Sequence, residues 1–156
     1  MRRKDLAVTE PEAVDEIIHG CDCVRLAFAD GNKPYLVPVS FGYTREEGVG
    51  KLYFHSADAG KKVELCRRLG YAAFEMDTKR TVKASDQACN FSMAYQSVVG
   101  EGSVKELTTR EEKAAGLQVI MQQYSGRADW DFPAAALDKT CVFCLTVEEI
   151  SGREHH

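Results

Sequence analysis

The stretch Leu52-Tyr53-Phe54-His55-Ser56-Ala57-Asp58-Ala59-Gly60-Lys61-Lys62 decides how this chain is read. Leu52, Tyr53 and Phe54 are the bulky side chains of a buried strand. His55 and Ser56 end it with two polar groups, and Ala57 to Gly60 are small or turn-forming. A helical pattern begins at Lys61, with Val63, Leu65, Cys66 and Leu69 on one side. The start of a helix exposes unpaired N–H groups and the positive end of its dipole, which favours an anion. Lysines in that first turn run against the dipole, so Lys61 and Lys62 make sense together if a phosphate neutralises them. Either lysine alone reads as an ordinary solvated residue; the strand end, the small-residue turn and the lysine pair together favour a phosphate.

Working outward, Thr9-Glu10-Pro11-Glu12 has the form of a capping box opening a short helix, with Val14, Ile17 and Ile18 inward and Gly20 at its end. Strands are expected over 23–29, 34–43 and 51–55, joined by polar turns as an antiparallel meander. After the helix over 61–69, capped by Gly70, a fourth strand spans 71–76 and a polar, patternless loop spans 78–90. A long strand follows over 91–104, where Gly100 and Gly102 suggest a bulge or a close backbone approach. A helix capped by Thr108 or Thr109 runs to about Tyr124. Residues 126–140 are ambiguous, with a helical turn at 134–137, and the last strand spans 140–147. About six strands with inserted helices fit a mainly β fold, a small closed or split antiparallel barrel. The 91–104 strand has apolar residues on both faces, which suggests burial against a partner subunit.

The chain has 156 residues, long enough for one domain with a real core, and no linker or repeat divides it. With 44% hydrophobic and 28% charged residues it is an ordinary globular composition. The net charge of −4 argues against nucleic acid or an anionic membrane as the main partner, so any anion site must be local. No apolar run follows Met1-Arg2-Arg3-Lys4-Asp5, and no segment approaches the length of a membrane span, so a cytoplasmic protein is expected. Six cysteines without a secretory signal read as reduced thiols. Cys141-Val142-Phe143-Cys144 has C-x-x-C spacing, but it falls in a buried strand and not on a metal-binding turn; no metal site is assigned.

Tyr53-Phe54-His55-Ser56-Ala57…Gly60-Lys61-Lys62, preceded by Pro34-Tyr35-Leu36-Val37-Pro38-Val39-Ser40, resembles the flavin-binding core of the pyridoxamine-5′-phosphate-oxidase-like split barrels. Within that superfamily it most resembles the Nim-type group, associated with nitroimidazole reduction and resistance. The resemblance covers most of the chain, from Met1 to Glu154, and is weak over 78–90 and 126–140. It implies a six-stranded antiparallel split β-barrel, homodimeric, with FMN held at the subunit interface. It further implies that Val37, Pro38, Val39, Ser40 and Phe41 run along the flavin ring. Phe54, His55 and Ser56 would line the phosphate and ribityl side, with Gly60, Lys61 and Lys62 at the phosphate. Gln96 and Ser97 match the position from which the partner subunit reaches the cofactor.

His55 is the catalytic candidate: it ends a hydrophobic strand at the proposed phosphate turn and can exchange a proton near neutral pH. For a lone histidine the plainer reading is a hydrogen bond at a strand end. Pro38 by itself marks a strand edge. His19 reads as a helix-end surface residue. Tyr95, Tyr124 and Trp130 are the type of residue that stacks on ligands and, more often, fills cores.

The expected activity is an FMN-dependent reductase of small electrophilic acceptors such as nitro-aromatics. No G-x-G-x-x-G motif is present, so NADH or NADPH would bind transiently over the flavin. The alternatives are a flavin or haem carrier or sensor on the same barrel, with His55 available as an axial ligand, a deazaflavin user, or a pyridoxamine-phosphate-type oxidase. The Arg-rich C-terminal segment of those oxidases is not found here.

Overall fold

The computed structural model describes residues 4–156; Met1 to Arg3, where the family resemblance begins, lie outside the described residues. After a short 3-10 turn come β1 (Ala7–Val8), α1 (Pro11–His19), β2 (Val24–Asp30), β3 (Lys33–Val39), β4 (Phe41–Glu46) and β5 (Val49–Ala57). They are followed by α2 (Lys61–Leu69), β6 (Tyr71–Lys83), β7 (Ser92–Leu107), α3 (Arg110–Ser125), α4 (Ala134–Asp138) and β8 (Thr140–His155). All strand pairs are antiparallel.

The strand order is β3-β2-β6-β7-β8-β5-β4, with β1 added on β8. Only Ser40 separates β3 from β4, yet these two strands stand at opposite ends of that order. A flat sheet of seven strands would be roughly 28 Å wide at strand spacing, which one residue cannot span. The sheet therefore curls until its ends meet at Ser40. The expected strand over 34–43 is one stretch of chain bent into β3 and β4. Counted that way, six long strands and the short β1 make the barrel, and the expected mainly β antiparallel class holds.

Alternation along the strands fills the interior with Leu26, Phe28, Phe41, Phe54, Phe74, Phe143 and Leu145. Phe54 and Phe143, directly paired across β5 and β8, stack with ring centroids 5.4 Å apart. α3 closes the outer face of β4. At Gly42 its backbone comes so near that an added Cβ would lie 2.4 Å from the Val119 carbonyl. From the end of the same helix, Tyr124 accepts a hydrogen bond from the Phe41 N–H (3.0 Å) and donates to the Asp22 carbonyl (2.9 Å). The tyrosine thus ties down the bend beside Ser40.

Several boundaries differ from the sequence reading. α1 is capped by Glu10 without a side-chain bond, so Thr9 forms no capping box, although Pro11 does occupy the first turn. The capping box is found at α3 instead, between Thr109 and Glu112. β6 runs on to Lys83 where a loop over 78–90 was expected, and its Thr81 to Lys83 pair with Ala94 to Ser92. Beyond the barrel that hairpin has no buried face, so its sequence lacks the alternation that betrays a strand. β8 likewise continues past Val147 to His155, paired with β7 after a bulge at Glu148. Opposite that bulge sits Gly102, where a Cβ would collide with the Thr146 carbonyl, as the expected close approach required. No helix among the described residues is long and apolar enough to cross a membrane.

Candidate functional site

Strand register places a notch at the bend. β4 pairs with β5 only as far as Phe41 opposite Phe54, so His55, Ser56 and Ala57 have β8 on one side and, among the described residues, no strand on the other. Among the described residues β3 is paired only with β2, leaving its second edge open, as expected from Pro38. The two open edges diverge from Ser40 and expose main-chain donors and acceptors along both sides. Ser40 and Pro38 are exposed and Val37 half-buried. Val39, Phe41 and Phe54 bury their side chains in the core, so these three offer the notch main chain only.

The turn after β5 carries the chain into α2. Gly60, the N-cap, adopts φ 129° and ψ 169°, which a side chain would resist, and no side chain caps the helix. The first helical bond is Glu64 N–H to the Gly60 carbonyl (3.1 Å). The N–H groups of Lys61, Lys62 and Val63 are left without helical acceptors.

The lysine pair proves unequal. Lys61 Nζ is 2.6 Å from Asp30 Oδ2 and 3.6 Å from Glu64. Asp30, held by Lys61 and Arg68 together, titrates well below the usual carboxylate range, at about 2. Lys62 has no carboxylate within ion-pair distance among the described residues; its Nζ donates to the His55 carbonyl at 3.3 Å. Half-buried, it is shifted below the ordinary lysine value by desolvation. On the other side of α2, a depression lined by Gly60, Val63, Arg67 and Arg68 has its arginines committed to Glu106, Asp30 and Glu64. The unneutralised cation is on the His55 side.

The His55 ring reaches solvent, yet the protein around it desolvates it, and the Lys62 charge adds to the effect; both lower its pKa. The folded state therefore favours the neutral ring. Since the unfolded chain takes up the proton first, near pH 6.5, His55 lowers stability as pH falls through that value and is neutral to stability above it. A ring-proton NMR titration of the free protein is expected to give a midpoint below 6.5, rising when a phosphate-bearing ligand neutralises Lys62.

Within one chain Gln96 and Ser97, on β7, are separated from β3 by β2 and β6. Gln96 donates to Glu154 (2.8 Å). Ser97 lies ten residues along β7 from Leu107, the residue that shares His55's cross-strand row through Val142, and two residues from Val99, whose row runs through Glu75 and Arg25 to Pro38, three strands away. Two residues that hold the site were missed. Tyr124 fixes the bend, and Asp30 occupies Lys61. Neither has a local signal, because each acts on a segment distant in sequence. His19 ends α1 at the surface, with Gln123 as partner (3.2 Å). Trp130 is exposed, under the Arg127 guanidinium at 4.5 Å. Cys141 and Cys144 are buried in β8, three residues apart and hence on opposite faces.

The pyridoxamine 5′-phosphate oxidase family model matches residues 10–154. A solved protein from Bacteroides thetaiotaomicron, described as a candidate 5-nitroimidazole antibiotic resistance protein, is 25% identical with a TM-score of 0.82, over 96% of this chain and 86% of that one. The flavocytochrome Anf3 of Azotobacter vinelandii has a TM-score of 0.80 at 19% identity, over 100% of this chain and 72% of its own. An FAD- and haem-binding protein of Mycobacterium smegmatis also reaches 0.80, at 17% identity, over 96% and 73%. These last two similarities bear on the fold alone. No curated protein matches the chain. With nearly its whole length matched, and with the barrel bent at Ser40 beside an uncapped, lysine-bearing helix start, the chain belongs to the pyridoxamine 5′-phosphate oxidase family.

Proposed function

We propose that this protein is an FMN-dependent oxidoreductase that passes electrons to small electrophilic acceptors of the nitro-aromatic kind, working as a homodimer. The observation that carries the reading is Lys62: a desolvated cation without a carboxylate partner, beside three unsatisfied helix N–H groups and an open strand edge. That is a site for a terminal phosphate attached to a flat group lying along Pro38 to Ser40.

A bound flavin would supply the redox chemistry. The chain's own residues supply position and charge. Lys62 and the start of α2 hold the phosphate, with Ser56 beside them on β5. The main chain of Val37 to Phe41 offers hydrogen bonds to the ring edge, and Pro38, lacking an N–H, restricts them to its neighbours. His55 holds a proton at the mouth of the notch, and its lowered pKa leaves it neutral near pH 7, able to accept one. Gln96 and Ser97, separated from β3 by β2 and β6 in their own chain, are assigned to the partner's site. A nicotinamide would bind transiently over the ring.

The test is the absorption spectrum of purified protein before and after adding FMN and desalting. Retained flavin bands, and their bleaching by NADH or NADPH with reoxidation by a nitro-aromatic under anaerobic conditions, are the expected results. A flavin that stays bound but does not bleach would indicate a carrier. No retained flavin, or a haem spectrum in its place, would overturn the reading. Mass analysis of the released cofactor separates FMN from FAD.

A further inference from the structure

Only alternate residues of β3 turn their main chain toward β2. The two-residue turn Gly31–Asn32 is closed by Asp30 opposite Lys33, which in a hairpin of this length is a hydrogen-bonded pair. By alternation Tyr35, Val37 and Val39 also direct their N–H groups to β2, and Leu36, Pro38 and Ser40 face the open edge. Pro34 and Pro38 both fall on that side, where a missing N–H removes no ladder bond. From Val37 to Phe41, two N–H groups then remain that β2 does not use, those of Ser40 and Phe41. The Phe41 N–H is taken by the Tyr124 hydroxyl at 3.0 Å. The Ser40 N–H has no partner among the described residues.

The Tyr124 hydroxyl does more than occupy one donor. It accepts from Phe41 at the start of β4 and gives its only proton to the Asp22 carbonyl (2.9 Å), two residues before β2. β2 and β4 lie toward opposite ends of the strand order, so a single oxygen bridges the gap that the bend closes. The helix that carries it is seated on β4 by backbone contact at Gly42, which leaves the hydroxyl little freedom. The adjacent Gln123 provides a contrast. Its side-chain amide donates to the carbonyls of His19 (3.1 Å) and Cys21 (3.0 Å), and among the described residues it makes no hydrogen bond to 37–41.

We infer that Tyr124 is a positioning residue for the flavin. By holding the Phe41 N–H and anchoring the bend to Asp22, it leaves the Ser40 N–H as the single main-chain donor of 37–41 and fixes that donor at the ring edge. The inference rests on the flavin reading above and adds to it the residue that tunes the ring. A fixed donor at the edge that gains negative charge on reduction binds the reduced flavin more strongly than the oxidised one. A donor free to swing loses that preference.

Two measurements test it. Amide hydrogen exchange in the native protein is expected to be fast at Ser40 and slow at Val37, Val39 and Phe41, and FMN is expected to slow Ser40 by at least about tenfold. A Ser40 amide already protected without FMN, or unaffected by it, would overturn the inference. In Tyr124→Phe, reduced FMN is expected to be weakened about tenfold more than oxidised FMN, a fall of about 30 mV in the two-electron midpoint potential. Gln123→Ala, which also loses hydrogen bonds from the end of α3, is expected to leave the potential unchanged. An unchanged or raised potential in Tyr124→Phe, or an equal fall in both variants, would overturn the role of Tyr124. If Tyr124→Phe fails to fold, the native exchange pattern decides alone. Native protein that retains no FMN would sink the flavin reading and the inference together; FMN retained with Ser40 unprotected would sink only the inference.

Discussion

Flavin affinity is expected to fall by about 1.5–3 kcal/mol in Lys62→Ala, roughly 10- to 150-fold in the dissociation constant, as for the loss of a charge-assisted hydrogen bond. Lys61→Ala is expected to change affinity far less, because its ammonium is already spent on Asp30 at 2.6 Å. The contrast is the point. The two lysines are neighbours in sequence, but the first is a tie between α2 and the β2–β3 turn, and the second a desolvated charge awaiting an anion. Fluorescence titration of FMN into the two single variants and the double variant measures it. Unchanged binding by the double variant would show that the phosphate lies elsewhere.

Gly42→Ala should cost about 3 kcal/mol of stability, at the top of the usual range for overpacking. A single methyl there would sit 2.4 Å from the Val119 carbonyl group and 2.5 Å from the Ile120 nitrogen. Backbone cannot swing aside as a side chain can, so α3 must lift from β4 as a body. Tyr124, near the end of that helix, would be drawn from Phe41 and the bend at Ser40 loosened. For a domain of this size the expected drop in melting temperature is about 6–12 °C by calorimetry. Gly48→Ala is the control: φ is 81° there, but nothing lies within 4 Å of the added carbon, so only the left-handed strain of about 1 kcal/mol applies. Equal losses in the two variants would mean that the helix is not wedged against the strand.

The sequence showed most of the barrel because most of it has one face in a core. Leu52 to Phe54 and the apolar side of α2 announce themselves through periodicity. The extension of β6 past Thr78 did not, since solvent on both faces leaves no pattern to read; the end of β8 turns only Ile150 and Gly152 to the core, and a glycine adds nothing to an apolar pattern. Lys61, Lys62, His55 and Ser40 were legible as a group from their order along the chain, and the register of β4 and β5 explains why they adjoin an open edge. Which lysine is free was not legible: the answer lies in Asp30, 31 residues before Lys61. Tyr124 was hidden similarly, 83 residues from the N–H it holds.

The last strand in sequence is a central one in space. β8 lies between β7 and β5 and carries β1 as well. A growing chain can pair β2 with β3 and β4 with β5 as local hairpins, yet the two hairpins have nothing to join them until residues 140–155 are made. Until then the apolar faces of β5 and β7 wait uncovered, a state that invites aggregation. Folding should thus be a late, concerted event of high contact order, slow for the protein's size. Shortening the chain from its C-terminal end should abolish solubility abruptly, and not wear the fold away by degrees.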